Sequence, residues 1–270
     1  MDIIQAAGGA DYQKRLYDKY ISAGPVGANL TSTADLTPRL PYLQRIIGTF
    51  FPANREARVL DLGCGHGELL YAARQMGYVH LFGVDVSAEQ VQAAHALGIT
   101  EVKHSDLFTA LSSQAPASVD LVVTFDVIEH FSKPNLLSLI DEVHRVLKPS
   151  GGWLIHTVNA ESPFFGRVRY GDFSHETAFT RSSLISLLKA SNFGDVECFE
   201  DPIVPRGLNS LVRFLLWRLI HMFLRLYVAV ETGDSGYHSI FTQNLLALAR
   251  PVNCRTRCRN GDLGHLEGHD

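Results

Sequence analysis

Residues 59–70 read VLDLGCGHGELL: a short apolar strand, glycine at 63, 65 and 67, then the first turn of an apolar helix. Glycine at alternate positions lets the chain turn sharply and lets its backbone approach a ligand with no Cβ in the way. Alone, such a turn suits a dinucleotide, a phosphate or no ligand at all. Its neighbours narrow the choice. Asp61 stands just ahead of the glycines, where a carboxylate repels phosphate but accepts from an ammonium group. The dinucleotide pattern G-x-G-x-x-G is broken, because Glu68 occupies the place of its third glycine.

Outward from this turn, apolar runs alternate with helical spacing. Strands are predicted at 57–63, 79–85, 99–103, 119–125 and 153–158, with a sixth at 196–199. Helices are predicted at 38–51, 68–76, 87–97 with Ser87 as N-cap, and 135–147 with Pro134 at its start. Lys148-Pro149-Ser150-Gly151 is read as the stop of that last helix. Strand–helix alternation at this spacing builds parallel β-α-β units, hence an α/β, doubly wound sheet. Such sheets bind ligands beyond the carboxyl ends of their strands. Asp85, closing the second strand in GVD, lies there, where it would meet a ribose diol.

VLDLGCGHGELL together with LFGVDVS resembles the class I S-adenosylmethionine-dependent methyltransferases over residues 55–200. That resemblance implies a Rossmann-like, seven-stranded sheet of order 3-2-1-4-5-7-6 whose last strand is antiparallel, and S-adenosyl-L-methionine as cofactor. It implies that Gly63, Gly65 and Gly67 wrap the methionine part, that Asp85 holds the ribose and that Asp106 contacts the adenine. Phe125 and Asp126 then border the methionine end.

The stretch FDVIEH, 125–130, follows the fourth strand and carries two carboxylates and an imidazole. On a helical turn Asp126, Glu129 and His130 share one face, a ligand set for Mg²⁺ or Mn²⁺ with His175 as the fourth member. The same residues serve without metal, with His130 or His175 as general base, or as pocket-shaping groups. The pairing resembles small-RNA 2′-O-methyltransferases and ubiquinone-pathway O-methyltransferases, except that Asp126 replaces the usual Glu. A sugar hydroxyl needs a base or a metal to become a nucleophile at neutral pH, so a site of this composition favours oxygen over nitrogen as acceptor. His156, alternating with apolar residues, is read as core or pocket lining, and His66 as exposed packing.

The 270 residues are 46% hydrophobic and 19% charged, enough for one large core. Basic residues number 24 and acidic 28, so no broad nucleic-acid-binding surface is expected. Four cysteines make no disulfide framework and point to a reducing, cytoplasmic setting. The division is an N-terminal helical cover at 1–52, a methyltransferase domain at 53–250 and a flexible tail at 251–270. Inside the domain, 206–230 is long, apolar and basic, with Arg218, His221 and Arg225 within about 60° of one another on a helical wheel. It is read three ways: a buried lid or dimer helix, an interfacial helix on the inner face of a membrane, or a membrane span. After it, Gly233 and Gly236 mark a turn into the last strand. LYDKYISAG at 16–24 and the C-terminal pattern resemble bacterial methyltransferases of polysaccharide and glycan pathways. The expected acceptor is therefore a sugar or glycan hydroxyl, with a quinone-type phenol as alternative and a non-catalytic cofactor-binding scaffold as a third reading.

Overall fold

The computed structural model describes residues 32–233 and 239–252, together with Leu16. Seven strands form one sheet: β1 Arg58–Leu62, β2 His80–Asp85, β3 Val102–His104, β4 Val119–Phe125, β5 Leu147–Val158, β6 Phe193–Glu200 and β7 Asn244–Pro251. Their order is β3-β2-β1-β4-β5-β7-β6, parallel except that β7 runs against both β5 and β6. The helices are α1 Leu40–Phe50, α2 Glu68–Gln75, α3 Ala88–Ala96, α4 Leu107–Ser112, α5 Lys133–Val146, α6 Phe165–Arg169, α7 Arg181–Ala190 and α8 Gly207–Thr232.

Strand pleating sorts the core into two layers. Leu60, Val122, Trp153 and Ile155 turn to one face and pack with Leu139 and Val143 of α5 and Leu184 of α7. Val59, Leu121, Val123 and Leu154 turn to the other, under Leu43, Ile46 and Ile47 of α1 and Leu69 and Leu70 of α2. Each fully buried aliphatic side chain contributes about 1.5–3 kcal/mol. The strands therefore read as near-continuous apolar runs, as both faces are covered.

The expectations differ from the structure at several edges. The third strand is Val102–His104, not 99–103, because Ile99 is spent capping α3 into the core. The presumed helix stop at 148–151 is instead the first part of β5, paired Val119↔Leu147 with a register shift before Leu121↔Gly152. A Cβ on Gly151 would lie 3.0 Å from two backbone carbonyl oxygens, so this irregular edge needs glycine. Helix α8 is no buried lid: none of its residues is buried. Among the described residues no helix is long and apolar enough to cross a membrane, so the span reading falls. Of the N-terminal cover, Thr33–Leu36 and α1 are described, with Leu16; most of 1–31, Gly236 and the tail from 253 lie outside the described residues.

Candidate active site

A cavity of about 590 Å³ opens at the carboxyl ends of β1, β2 and β4. The glycine loop forms one wall. Gly63, Gly65 and Gly67 all have left-handed φ, at +70°, +55° and +80°. A Cβ on Gly63 would sit 2.6 Å from Val127 Cγ2, and one on Gly67 would sit 2.8 Å from Val102 Cγ2. The loop after β1 thus interlocks with the loop after β4, and both glycines are required for geometry and space alike.

Among the carboxylates that line the cavity are Asp61, Asp85 and Asp106. Asp61 is 2% exposed, and burial, helped by the charge of Asp85, pushes its carboxyl up to about 8. Its Oδ1 finds no hydrogen-bond partner, although an unsatisfied buried acceptor costs about 1–3 kcal/mol. Asp85 accepts from Gly65 N and Ser87 N, each at 2.8 Å, and burial raises it as well. Each oxygen keeps a second lone pair for a ligand diol. Asp106 caps α4 by accepting from Thr109 N at 2.9 Å, and hydrogen bonding from Thr109, through its side chain first and then this backbone bond, holds it below the usual carboxylate range.

These observations test the fit of S-adenosylmethionine. Asp61 offers an unpartnered carboxylate oxygen of the kind an ammonium would satisfy, Asp85 keeps acceptor capacity for a diol, and the glycines leave a cradle that Cβ atoms would fill. The residues fit.

Asp126 departs from the expectation. It adopts φ +53°, rare for a non-glycine residue, which turns its side chain toward β5. There Oδ1 accepts from His156 Nδ1 at 2.7 Å. His156 lies across from Phe125 in the β4–β5 register, and the two rings stack at 4.7 Å and 9°. Behind it, Asp201 Oδ2 stands 3.6 Å from His156 Nε2, an ion pair beyond hydrogen-bond reach. Asp201 Oδ1 in turn accepts from Tyr42 of α1 at 2.6 Å. Burial alone would neutralise His156, but the charge and hydrogen bond of Asp126, with Asp201 behind, push it up to about 10. Burial opposes ionisation of Asp126 too, yet the imidazolium outweighs it and holds that carboxyl low. His156 is thus no simple packing residue, and Asp201 and Tyr42 join it unforeseen.

The other three predicted metal ligands do converge. Glu129, His130 and His175 place one ligand atom each within 4.8 Å of one another, without Asp126. The shorter Asp side chain and its left-handed backbone commit it to His156 instead. Two bonds carry His175 to this place: Glu176 N and Thr177 N both donate to Glu129 O, at 2.7 and 3.1 Å. The rings of His130 and His175 meet edge-on at 4.7 Å. His175 Nδ1 faces Val168 O at 3.1 Å, and His130 Nδ1 faces Ser174 Oγ at 2.9 Å. Ser174 Oγ donates to Asp172 at 2.5 Å. Outer partners of this kind orient imidazoles so that Nε2 serves a ligand. Glu129 is fully buried, accepts from Thr157 Oγ1 through Oε2 and leaves Oε1 without a partner. Burial first, then the charge of Asp126, pushes it up to about 8. Burial, reinforced by His175, lowers His130, keeping it neutral near pH 7. Of this cluster His130 also lines the cofactor cavity. His66 is not simple exposed packing either; it lines the same cavity beside Gln90 and Glu68.

A parallel sheet closed by one antiparallel strand, with a glycine loop after β1 and a carboxylate after β2, defines the class I S-adenosylmethionine-dependent methyltransferases. The chain belongs to that family: a model described as a methyltransferase domain matches residues 37–197. It is similar to a protein of Leptothrix cholodnii named ubiquinone biosynthesis O-methyltransferase, 30% identical over 132 residues, covering 47% of this chain and 53% of that one. The chain thus spans about half the length of that relative. A protein of the same name from Paraburkholderia phytofirmans is 32% identical over 208 residues, covering 74% of this chain and 77% of its own. The crystal structure of a SAM-dependent methyltransferase from Archaeoglobus fulgidus shares the fold at TM-score 0.59 and 20% identity, over 87% of this chain and 98% of that one.

Proposed function

We propose that this protein methylates a hydroxyl oxygen, using S-adenosylmethionine, and that the acceptor is a lipid-soluble phenol of quinone type. The observation that carries the hydroxyl assignment is the Glu129–His130–His175 cluster beside the cofactor cavity. The relatives named ubiquinone biosynthesis O-methyltransferase support the phenol over the sugar or glycan expected from sequence. The scaffold reading gains nothing from them.

When bound, the cofactor supplies an electrophilic methyl group on a sulfonium. The residues of this chain do the rest. Asp61 takes the ammonium, Asp85 the ribose hydroxyls and Asp106 the adenine end, which aligns the methyl for in-line displacement. His130, neutral near pH 7, accepts the acceptor's hydroxyl proton as its oxygen bonds to the methyl carbon. The electron pair of the broken carbon–sulfur bond would stay on the cofactor's sulfur. In the metal-assisted alternative, a divalent ion, Mg²⁺ or Mn²⁺, would be held by Glu129, His130 and His175, with His130 then a ligand and not the base, and would lower the hydroxyl pKa; three protein ligands would leave positions for substrate oxygen.

Labelled cofactor with a panel of alkyl catechols, simple phenols, sugars and sugar nucleotides tests the acceptor class. Label confined to the sugars would overturn the phenol reading. Chelation followed by Mg²⁺ or Mn²⁺ add-back tests the ion, and full activity in the chelated protein would remove it from the mechanism.

A further inference from the structure

Helix α8 presents a face that the body of the protein does not use. Its inward stripe is Ser210, Phe214, Trp217 and His221, with Leu224 and Val228 continuing at the same three–four spacing. His221 pairs with Glu200 at the end of β6, and its ring meets Phe241 at 5.1 Å, so the helix is pinned along this line. On a wheel at about 100° per residue, the opposite half of the circumference is apolar except for Asn209 and the hydroxyl of Tyr227 toward one edge. Leu208, Leu215, Leu219, Phe223, Leu226 and Val230 head that arc, each 48–78% exposed. Large exposed apolar surface on one element marks an interaction site.

The charges say what covers it. Arg213 and Arg218 are exposed and stand on opposite shoulders, each about 110° from the centre of the apolar arc. From 207 to 230 there is no Asp or Glu. A second copy is a poor fit: a facing copy of this helix would offer the shoulder arginines Arg213 and Arg218 no carboxylate along 207–230, its one acid, Glu231, lying at the C-terminal end. An arc half the circumference wide also exceeds the narrow stripe that helix pairing uses. A planar hydrocarbon boundary takes the whole arc at once, while arginines on both shoulders rise to the level of anionic headgroups.

We propose that α8 docks the protein on an anionic membrane surface, lying in the plane of the interface with its outward arc in the acyl boundary. The attraction is local, because the chain as a whole carries a net charge of −4. This site stands apart from the acceptor assignment, and its test involves no turnover.

The full chain is floated with vesicles of phosphatidylcholine alone and with vesicles containing about one-third phosphatidylglycerol. Wild type is expected to float with the anionic vesicles and to bind the neutral ones at least about tenfold less. Leu215→Glu with Leu219→Glu should abolish flotation, and Arg213→Glu with Arg218→Glu should weaken it about tenfold or more on anionic vesicles. All four side chains are exposed, and unchanged S-adenosylhomocysteine affinity in each variant checks that it is folded. Wild type that floats with neither vesicle overturns the proposal. So does sedimentation showing a dimer that Leu215→Glu with Leu219→Glu splits, without vesicle binding, since the occupant is then a second copy.

Discussion

Asp61 shows what a single buried carboxylate does in this protein. Its neighbourhood raises it to about 8 through burial and the charge of Asp85, so the folded state holds its proton more tightly than the unfolded chain. Stability therefore falls as pH rises from the unfolded carboxylate value, about 3.9, toward 8. Asp61→Asn removes that loss: the variant is expected to melt higher than wild type at pH 8, while its affinity for S-adenosylhomocysteine drops roughly tenfold to a hundredfold as an ammonium partner disappears. Calorimetry and thermal melts read both, and unchanged affinity would mean that the ammonium goes elsewhere. His156 behaves in the opposite sense. With its folded value raised to about 10, its contribution is complete below the unfolded histidine value and fades as pH rises through 10. Asp126, held low, contributes above the unfolded carboxylate value and fades as pH falls through its own folded value. His156→Leu strands Asp126 and Asp201 and is expected to cost about 2–4 kcal/mol, a buried-pair figure discounted because Asp126 faces the cavity. Denaturation of variant and wild type should show the gap widest between roughly pH 4 and 6.5 and narrower at pH 10; a gap that ignores pH would mean the histidine only packs.

At the scale of elements, two glycines separate space from propensity. Gly48 lies inside α1, is exposed, and a Cβ there meets nothing within 4 Å. Gly48→Ala is expected to stabilise by about 0.5–1 kcal/mol through chain entropy alone. Gly63→Ala does the reverse, forcing a left-handed residue into Val127, and should cost about 1–3 kcal/mol with loss of cofactor binding. Urea unfolding distinguishes them by sign. The strand–turn–helix at 59–70 was legible because its signals are local: apolar run, alternating glycines, helix spacing. Asp85 and β4 were legible for the same reason. Short α4 and α6 were not predicted, since each carries too few residues for periodicity to emerge, and α4 is started by Asp106 as a cap; α7, ten residues behind a Thr180 cap, was missed although its signal is local. The opening of β5 at Leu147 contradicted its own Pro149 and glycines, and only pairing with β4 imposes it. The Asp126–His156 bond depends on strand register across 30 residues of sequence, and Tyr42–Asp201 on contact across 159. Spacing within one motif could place Asp126 beside Glu129 but could not reveal a stronger partner on the next strand.

The molecule as a whole gathers Asp61, Asp85 and Asp126 from three adjacent strands, β2-β1-β4, into one cavity. Only Asp126 has a cation in hydrogen-bond contact among the described residues. Burial and the charge of Asp85 oppose ionisation of Asp61 in this cavity, and a cationic group paired with Asp61 is expected to offset that opposition. Without ligand, Asp61, raised by burial and by the charge of Asp85, lowers stability as pH rises toward 8, and Asp85, raised by burial, acts in the same direction. On the proposed assignment of Asp61 to the ammonium and Asp85 to the ribose, both are ionised and paired when ligand binds, and the pH penalty is cancelled. The stabilisation conferred by S-adenosylhomocysteine must therefore grow with pH. At a ligand concentration one hundred times Kd it amounts to about 2.7 kcal/mol, or roughly 5–10 °C for a chain of this size. We expect the melting shift at fixed ligand to be larger at pH 8 than at pH 6, and larger again for S-adenosylmethionine, whose sulfonium adds a second positive charge. In Asp61→Asn the shift should be smaller and nearly flat across that range. A wild-type shift that shrinks as pH rises would show that the carboxylates meet the ligand protonated, and the assignment of Asp61 to an ammonium would fail with it.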